Sequence, residues 1–370
     1  MRGVRWLGRA GLVVSCVVML AAPARAQKVT ASGVDSVRVR LNLQPQFNTS
    51  SADGEPDSEW LVRRARLGVG AYAGGWLYAF AEGDFGRGDA KLTDGYVSLQ
   101  FDPRLAIRAG QFKVPFDELE LTSSRELPVI ERDPLPRGAA GFSPNGLLDD
   151  LGFNARDIGI DWKGRFERVR ATVGLFNGQG DGVEETDDGK QLAAQIQAEI
   201  AAGWRLTGAW TGLRLSDPPA EDEAAWYHAF EIAIRGGEYA EPGLQLLGQI
   251  FVGDDYDPEL LGDDDASFVA WQGIVGWHVA SYGIPYLIGW EPVLRVGWTR
   301  IEDGSVVVGD EIFPLGSAEP ATTVASAGVN LYWKERIRTQ LGVDWSSFDG
   351  DGELSDSDDV AFRIQFGFGF

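Results

Sequence analysis

Apolar and polar residues alternate with a period of two from residue 36 to the last residue, and this pattern constrains the fold more than any other feature. The alternation comes in segments of about ten residues separated by turn signals, a length that lets a tilted strand cross a bilayer. We therefore predict an all-β fold, a transmembrane antiparallel β-barrel that occupies residues 27–370 as one domain. The sixteen predicted strands, an even number as in bacterial barrels, cover residues 36–47, 59–72, 75–85, 91–101, 104–113, 152–163, 166–177, 190–200, 203–215, 224–235, 242–252, 267–280, 289–301, 321–334, 337–348 and 359–370.

The connections between these strands alternate in length. Most even-numbered connections are tight, such as Asp102-Pro103 and Gly164-Arg165, whereas most odd-numbered ones are longer and acidic. Outer-membrane barrels have short turns at one end and long loops at the other. The long connections are predicted at residues 48–58, 114–151, 178–189, 216–223, 253–266, 302–320 and 349–358.

The last predicted strand shows the two faces expected of such a wall. Phenylalanine and isoleucine occupy the even positions from Phe362 to Phe370, whereas Arg363, Gln365 and two glycines occupy the odd positions. The first set would meet lipid and the second would meet water. A soluble sandwich or propeller also alternates, so the pattern alone does not decide between the two folds. The terminal phenylalanine and an export signal together favour the membrane barrel.

Residues 1–26 have the features of a cleaved signal peptide. Three arginines precede an apolar run from Gly11 to Ala22, and an Ala-Arg-Ala cleavage site ends at Ala26. Cys16, the only cysteine, lies inside the apolar run, which argues against lipoprotein cleavage at that residue. We expect the mature chain to reach the outer membrane of a Gram-negative bacterium, where the barrel assembly machinery would recognise its C-terminal strand.

Charge is distributed unevenly along the mature chain. Without the four arginines of residues 1–26, 29 basic side chains remain against 55 carboxylates, a net charge of −26. Such an acidic balance argues against nucleic acid as a partner. Residues 27–170 have a net charge of −2 and residues 171–370 a net charge of −24, so a cationic site is expected in the first half.

Several motifs resemble those of the phosphate-selective porin O and P family. They lie in residues 61–67 (LVRRARL), 110–116 (GQFKVPF), 122–124 (TSS), 174–178 (GLFNG), 328–333 (GVNLYW) and 362–366 (FRIQF). The resemblance covers essentially the whole mature chain, and the run through the third long loop is its most specific part. It implies a sixteen-stranded outer-membrane channel, so we expect a homotrimer surrounded by lipid and lipopolysaccharide.

Residues 114–151 form the longest connection and the third of the long loops. The resemblance implies that this loop folds inward and constricts the pore. Its composition permits this arrangement, because Phe116, Leu119, Leu121, Val129 and Ile130 could pack against the barrel wall. A mobile surface loop is the alternative.

Basic side chains on the predicted inner faces and in the third loop make up the candidate site. The resemblance implies a ladder of arginines, and a guanidinium can bind two oxygens of an oxyanion at once. The same arginines could instead pair with Glu82, Asp94, Asp157 or Asp161 and hold the wall in shape with little selectivity. The candidate pore and anion-binding residues are Arg38, Arg40, Arg64, Arg66, Arg108, Lys113, Arg125, Arg132, Arg168 and Arg170.

The expected function is diffusion of small solutes across the outer membrane, with a modest preference for anions such as phosphate or another oxyanion. The acidic loops favour a general or cation-preferring porin instead, since runs such as Asp181–Asp188 and Asp263–Asp265 would repel anions. Divalent cations that bridge these loops to lipopolysaccharide would neutralise the carboxylates and so remove the repulsion of anions. A structural or adhesive barrel with a closed lumen is a third possibility.

No motif indicates catalysis. His228 and His278 lack a recognisable serine or carboxylate motif beside them. Only about ten residues precede the first strand, which is too few for the plug of an energy-coupled transporter. We expect no catalytic residue, no metal and no cofactor.

Overall fold

A computed structural model describes residues 33–52, 57–180, 182, 188–214, 226–255, 267–302, 305–308, 311–314, 320–350 and 356–369. The predicted signal peptide, Phe370, Asp263–Asp265 and most of the acidic run before Asp188 lie outside the described residues.

In the described part of the chain, sixteen antiparallel strands close into one barrel, which confirms the predicted fold class and strand number. Two further short strands, β14 and β15, pair only with each other. The strands are β1 (Ser36–Ser50), β2 (Ser58–Ala73), β3 (Leu77–Asp84), β4 (Lys91–Asp102), β5 (Leu105–Lys113), β6 (Arg156–Phe166), β7 (Val169–Phe176), β8 (Lys190–Ala201), β9 (Trp204–Arg214), β10 (Trp226–Gly236), β11 (Gly243–Asp254), β12 (Ser267–Ala280), β13 (Leu287–Glu302), β14 (Ser305–Val308), β15 (Glu311–Pro314), β16 (Ala321–Trp333), β17 (Ile337–Asp349) and β18 (Ser357–Gly369). The helices are α1 (Glu118–Leu121) and α2 (Pro144–Asp150), and single 3-10 turns cover Gly86–Gly88 and Lys334–Arg336.

Each barrel strand pairs with its neighbours in sequence, except that β13 pairs with β16 around the β14–β15 hairpin. The barrel closes where β1 pairs with β18, with Asn42 opposite Gly369. No helix among the described residues is long and apolar enough to cross a membrane.

Burial follows the predicted alternation along the strands. In β18, Arg363 and Gln365 are buried, whereas the flanking Phe362 and Phe366 are exposed on the opposite face. In β1, Asn42 is buried and its neighbour Leu43 is exposed. The polar faces therefore point into the barrel and the apolar faces point out of it, an arrangement suited to a lipid surround.

A β-bulge in β2 places two consecutive arginines on the inner face. Gln44 pairs with Arg64 but the next residue, Pro45, pairs with Val62, so that Arg63 has no opposite residue on β1. Proline is compatible with a bulge because it has no backbone N–H to donate to the hydrogen bonds between strands. The Arg63 side chain then reaches inward to Glu131, at 2.7 Å, and Arg64 donates to Gln44 at 2.9 Å.

The turn between β6 and β7 lies further along the chain than predicted. We expected a turn at Gly164-Arg165, but Gly164 pairs with both Leu105 and Ala171 inside the sheet. Phe166 pairs with Val169, so the turn consists of Glu167 and Arg168, with Glu167 at a left-handed φ of 46°. Arg168 is therefore a turn residue, and its assignment to an arginine row on the inner face was wrong.

Residues 114–155 connect β5 to β6 and are referred to below as the β5–β6 segment. The prediction found no regular structure in this connection, whereas the structure contains α1 and α2. Asp117 caps the N-terminus of α1, and its carboxylate accepts from the backbone N–H groups of Leu119 and Glu120. Ser143 caps the N-terminus of α2, whose first residue is Pro144.

Candidate functional site

The β5–β6 segment is packed against inward-facing side chains of the barrel. Phe116 and Leu119 are fully buried, Val129 and Ile130 are almost so, and Leu121 is half-buried. Phe116 packs with Phe251 of β11, at 6.2 Å between ring centroids. The apolar side chains that the sequence offered for wall contacts are therefore removed from water.

A buried polar cluster attaches the start of the segment to β10 and β11. The Asp117 carboxylate accepts from Gln249 at 2.8 Å and from Asn154 at 2.9 Å, and also from Asn145. Glu231 accepts from the backbone N–H groups of Asp117 and Glu118 at 3.0 and 2.8 Å. Burial raises the pKa of Asp117 above its ordinary value, while these hydrogen bonds oppose that shift.

Farther along the segment, side chains of the later strands bond to its backbone carbonyls. Arg338 donates to Leu127 O at 2.7 Å, Asn330 donates to Pro128 O at 2.8 Å, and Arg363 donates to Pro134 O at 3.2 Å. The cations and amides of this part of the wall therefore form hydrogen bonds that hold the segment in place. Arg205 is occupied in the same way, by an ion pair with Glu118.

A large cavity of about 820 Å³ opens at the end of the barrel that carries the long connections, and we call it the upper cavity. Its charges are balanced. The arginines that line it are Arg63, Arg64, Arg87, Arg132, Arg137 and Arg363, and the carboxylates are Glu59, Glu120, Glu131, Asp133, Asp149 and Asp150.

Two carboxylates of the upper cavity have pKa values that are shifted in opposite directions from the ordinary value. Burial would raise the pKa of Glu131, but Arg63 and Arg64 outweigh it and hold the pKa well below its usual range. Partial burial and the nearby carboxylates Glu120 and Asp133 raise the pKa of Asp149 to about 6. Asp149 is therefore expected to lose its negative charge as the pH falls through about 6.

A second cavity of about 280 Å³, the lower cavity, lies deeper in the barrel against β1–β6. Cations dominate it, because only two carboxylates, Glu82 and Asp94, contribute to its lining. The cations are Arg40, Arg66, Arg108, Lys113, Arg125, Arg156 and Lys163.

Several of these cations have carboxylate partners in the wall. Arg66 pairs with Asp84 at 2.7 Å, Arg108 pairs with Asp161 at 2.5 Å, and Arg156 pairs with Asp94 at 3.1 Å. Even when the partners Asp84, Asp161 and Glu120 are added to the lining, seven cations face five carboxylates. Arg40 and Arg125 form no ion pair within the described residues. The lower cavity thus keeps an excess of positive charge.

Aromatic rings support three arginines along the same wall. The guanidinium of Arg108 lies 3.5 Å from the ring centroid of Phe112, and that of Arg40 lies 5.0 Å from the centroid of Phe80. The guanidinium of Arg38, near the start of β1, lies 5.0 Å from the ring centroid of Tyr72. Such contacts are attractive, and they fix the position of a long side chain without neutralising its charge.

An ion-pair cluster joins the wall to the segment and includes lining residues of both cavities. Glu120 lies 2.7 Å from Lys113 Nζ through one carboxylate oxygen and 2.8 Å from Arg132 Nε through the other. Arg132 lines the upper cavity and Lys113 lines the lower cavity. We call these three residues the junction.

The structure thus groups most of the predicted site residues. Arg64 and Arg132 line the upper cavity, while Arg40, Arg66, Arg108, Lys113 and Arg125 line the lower one. Arg38, Arg168 and Arg170 line neither cavity. Arg66 and Arg108 form ion pairs with wall carboxylates, whereas Arg40 and Arg125 form none within the described residues.

The sequence prediction missed several lining cations. The prediction did not put Arg63 on the inner face, because strict alternation places adjacent residues on opposite faces. Apart from Pro45, the sequence carries no clear signal of the bulge. Arg156 and Lys163 lie in β6, within the predicted strand 152–163, but were not named as site residues. Arg363 was placed correctly on the inner face but not recognised as a site residue.

Residues 37–208 match the model of a family described as phosphate-selective porin O and P. Every residue that lines the lower cavity lies within this match. The match covers 172 of the 370 residues, and the chain is similar to this family over that part. Together with the closed sixteen-stranded barrel, the match identifies the chain as an outer-membrane channel protein.

Solved structures with the same fold are also outer-membrane proteins. The outer membrane channel DcaP of Acinetobacter baumannii aligns with a TM-score of 0.61 at 13% identity, covering 93% of this chain and 100% of that chain. An anion-selective porin from Comamonas acidovorans aligns with a TM-score of 0.58 at 12% identity, covering 90% and 99%. The trimer form of OmpT from Vibrio cholerae gives the same TM-score, identity and coverage. No curated protein sequence matches the chain.

Proposed function

We propose that this porin passes small solutes by diffusion and prefers small oxyanions, phosphate among them, over cations. The observation that carries the proposal is the excess of cations in the lower cavity, whose volume of about 280 Å³ is smaller than the volume of about 820 Å³ of the upper cavity. Fixed charge in a narrow passage with a low-dielectric wall acts strongly on a passing ion. The anion-selective porin from Comamonas acidovorans, which has the same fold, supports the proposal by analogy.

The β5–β6 segment has the role of the constriction in this proposal. It bonds to the inner faces of the later strands and also to Asn42, Gln44 and Arg63 of β1 and β2, and the solute path in this proposal runs through the lower cavity beside it. Movement is down a concentration gradient, so the channel needs no covalent step. We also propose a homotrimer in the outer membrane, since OmpT of the same fold has a trimer form.

The test is the reversal potential of the purified protein in a planar bilayer under a potassium chloride gradient. The wild type should give an anion-selective potential. Arg125→Glu should shift it toward cation selectivity, because Arg125 lines the lower cavity without an ion partner among the described residues. Arg214→Glu makes the same charge change at the exposed end of β9 and should have a smaller effect. A cation-selective wild type, or equal shifts in both variants, would contradict the proposal.

A further inference from the structure

The Glu120 carboxylate holds the position that a passing oxyanion would find most favourable. Each of its two oxygens faces a different cation, Lys113 on one side and Arg132 on the other. Its side chain is about one-fifth exposed, at 18%, so water reaches this contact. A two-oxygen acceptor between an ammonium and a guanidinium has the geometry of a bound carboxylate or phosphate.

The two cations are held in place by contacts that do not involve this carboxylate. Lys113 Nζ donates to the backbone carbonyl of Glu120, and Arg132 donates to Leu119 O at 3.2 Å and to Thr122 O at 2.6 Å. These carbonyls belong to α1 and its C-terminal end, which the buried Asp117 cluster attaches to the wall. The cations would therefore keep their positions if the Glu120 side chain rotated away.

The junction also contributes to the lining of both cavities. Glu120 and Arg132 line the upper cavity and Lys113 lines the lower one, so one cation is accessible from each cavity. In the proposed function, an oxyanion that passes from the upper to the lower cavity would meet these two cations before Arg66, Arg108 and Arg156.

We propose that Lys113 and Arg132 form an oxyanion-binding site which the Glu120 carboxylate occupies until a carboxylate or phosphate from solution replaces it. This inference rests on the proposed function and identifies the step at which oxyanions are selected. Glu120 acts as an internal competitor, and its return to the cations releases the oxyanion into the lower cavity.

The chemistry of Glu120 suits this role. Burial would raise its pKa, but Arg132 and Lys113 outweigh burial and lower the pKa to about 2, so the competitor is ionised at any physiological pH. A tethered group has an effective concentration of about millimolar or more, so external oxyanions displace it only at comparable concentrations. The result is a weak site, which a diffusion channel needs for rapid release.

The test measures block of the chloride current by inorganic phosphate and, separately, by acetate in planar bilayers. Glu120→Gln keeps the shape of the side chain and removes its charge, so the half-blocking concentration of phosphate should fall by about tenfold. Glu126→Gln removes an exposed carboxylate of the same segment and should leave that concentration unchanged. Glu120→Asp keeps the charge with a shorter reach and should give an intermediate value.

A second variant tests whether the gain arises at the two cations. Adding Arg132→Gln to Glu120→Gln should return the half-blocking concentration to the wild-type value or above it. Stronger block by phosphate alone would assign the site to phosphate, and stronger block by both anions would assign it to oxyanions in general.

The outcomes separate this inference from the proposed function. An anion-selective wild type whose half-blocking concentration is unchanged by Glu120→Gln would overturn the inference and leave the function standing. A cation-selective wild type in which Glu120→Gln creates strong block would support the site and overturn the function. Equal block in the Glu126→Gln control would mean that charge in general, and not the junction, controls access.

Discussion

The inner face of β1–β6 and the inner face of β8–β18 differ, although the same alternation of residues builds both. Along β1–β6, Arg40 faces the lower cavity without a carboxylate partner among the described residues, and Arg125 of the β5–β6 segment lines the same cavity, also without one. Along the later strands, Arg205, Arg338 and Arg363 bond to the β5–β6 segment. The same residue type lines the lower cavity on one side and holds the segment on the other.

The difference arises because one segment of the chain covers only part of the wall. Where it packs, inward amides and cations satisfy the polar groups of its backbone, as buried polar groups require. Where it does not pack, the charges of the wall would act on passing ions in the proposed function. On that proposal, an arginine on an inner face contributes to selectivity only where the segment leaves it uncovered.

The largest effect is expected from detaching the segment from the covered wall. Asp117→Ala removes the acceptor shared by Gln249, Asn154 and two backbone N–H groups. A buried donor left unsatisfied costs about 1–3 kcal/mol, so the segment should leave the wall, single-channel conductance should rise, and trypsin should cleave at Arg125 or Arg132.

Asp117→Asn is the matched control for this change. It keeps one acceptor oxygen, and asparagine tolerates the φ of 63° found at this position. Its conductance should lie between those of the wild type and Asp117→Ala. Unchanged conductance and protease resistance in the alanine variant would show that the polar cluster does not hold the segment.

A smaller effect is expected from removing one uncovered charge. Arg40→Gln takes away a cation of the lower cavity that has no ion pair in the described structure. The interaction energy between a unit charge and an ion about 8 Å away in water is about 0.5 kcal/mol. Loss of this charge should therefore lower the anion-to-cation permeability ratio by about twofold.

Arg168→Gln is the control for Arg40→Gln because Arg168 lies in the exposed β6–β7 turn. Its permeability ratio should match that of the wild type. A decrease as large as that of Arg40→Gln would mean that overall charge, and not the uncovered wall, sets selectivity.

The smallest effect is expected from pH. The pKa of Asp149 is raised to about 6, so this residue is negative above that pH and neutral below it. Lowering the pH from about 8 to about 5 removes one negative charge from the upper cavity and should increase the anion-to-cation permeability ratio by less than about twofold. Asp149→Asn should show a higher ratio at the alkaline end and a smaller change with pH. An anion preference that decreases on acidification would contradict this sign.

The strands could be predicted closely because alternation is a local property that repeats along the chain. The ends of β12 agree with the prediction at both residues, and those of β8 and β17 differ by a single residue at the C-terminal end. Errors occurred where a local signal misled, as at Gly164, a residue typical of turns that is part of the sheet here. The candidate site was predicted less completely, since Arg63, Arg156 and Lys163 were missed.

The sequence by itself determined the barrel, its inner and outer faces and the position of the long third connection, because each follows from spacing along the chain. The tertiary structure decided which inward cations remain free, through contacts such as Arg338 with Leu127 and Glu120 with Arg132. It also decided the bulge at Arg63, which depends on how β2 pairs with β1. These outcomes depend on distances between residues far apart in sequence, and a period of two carries no information about them.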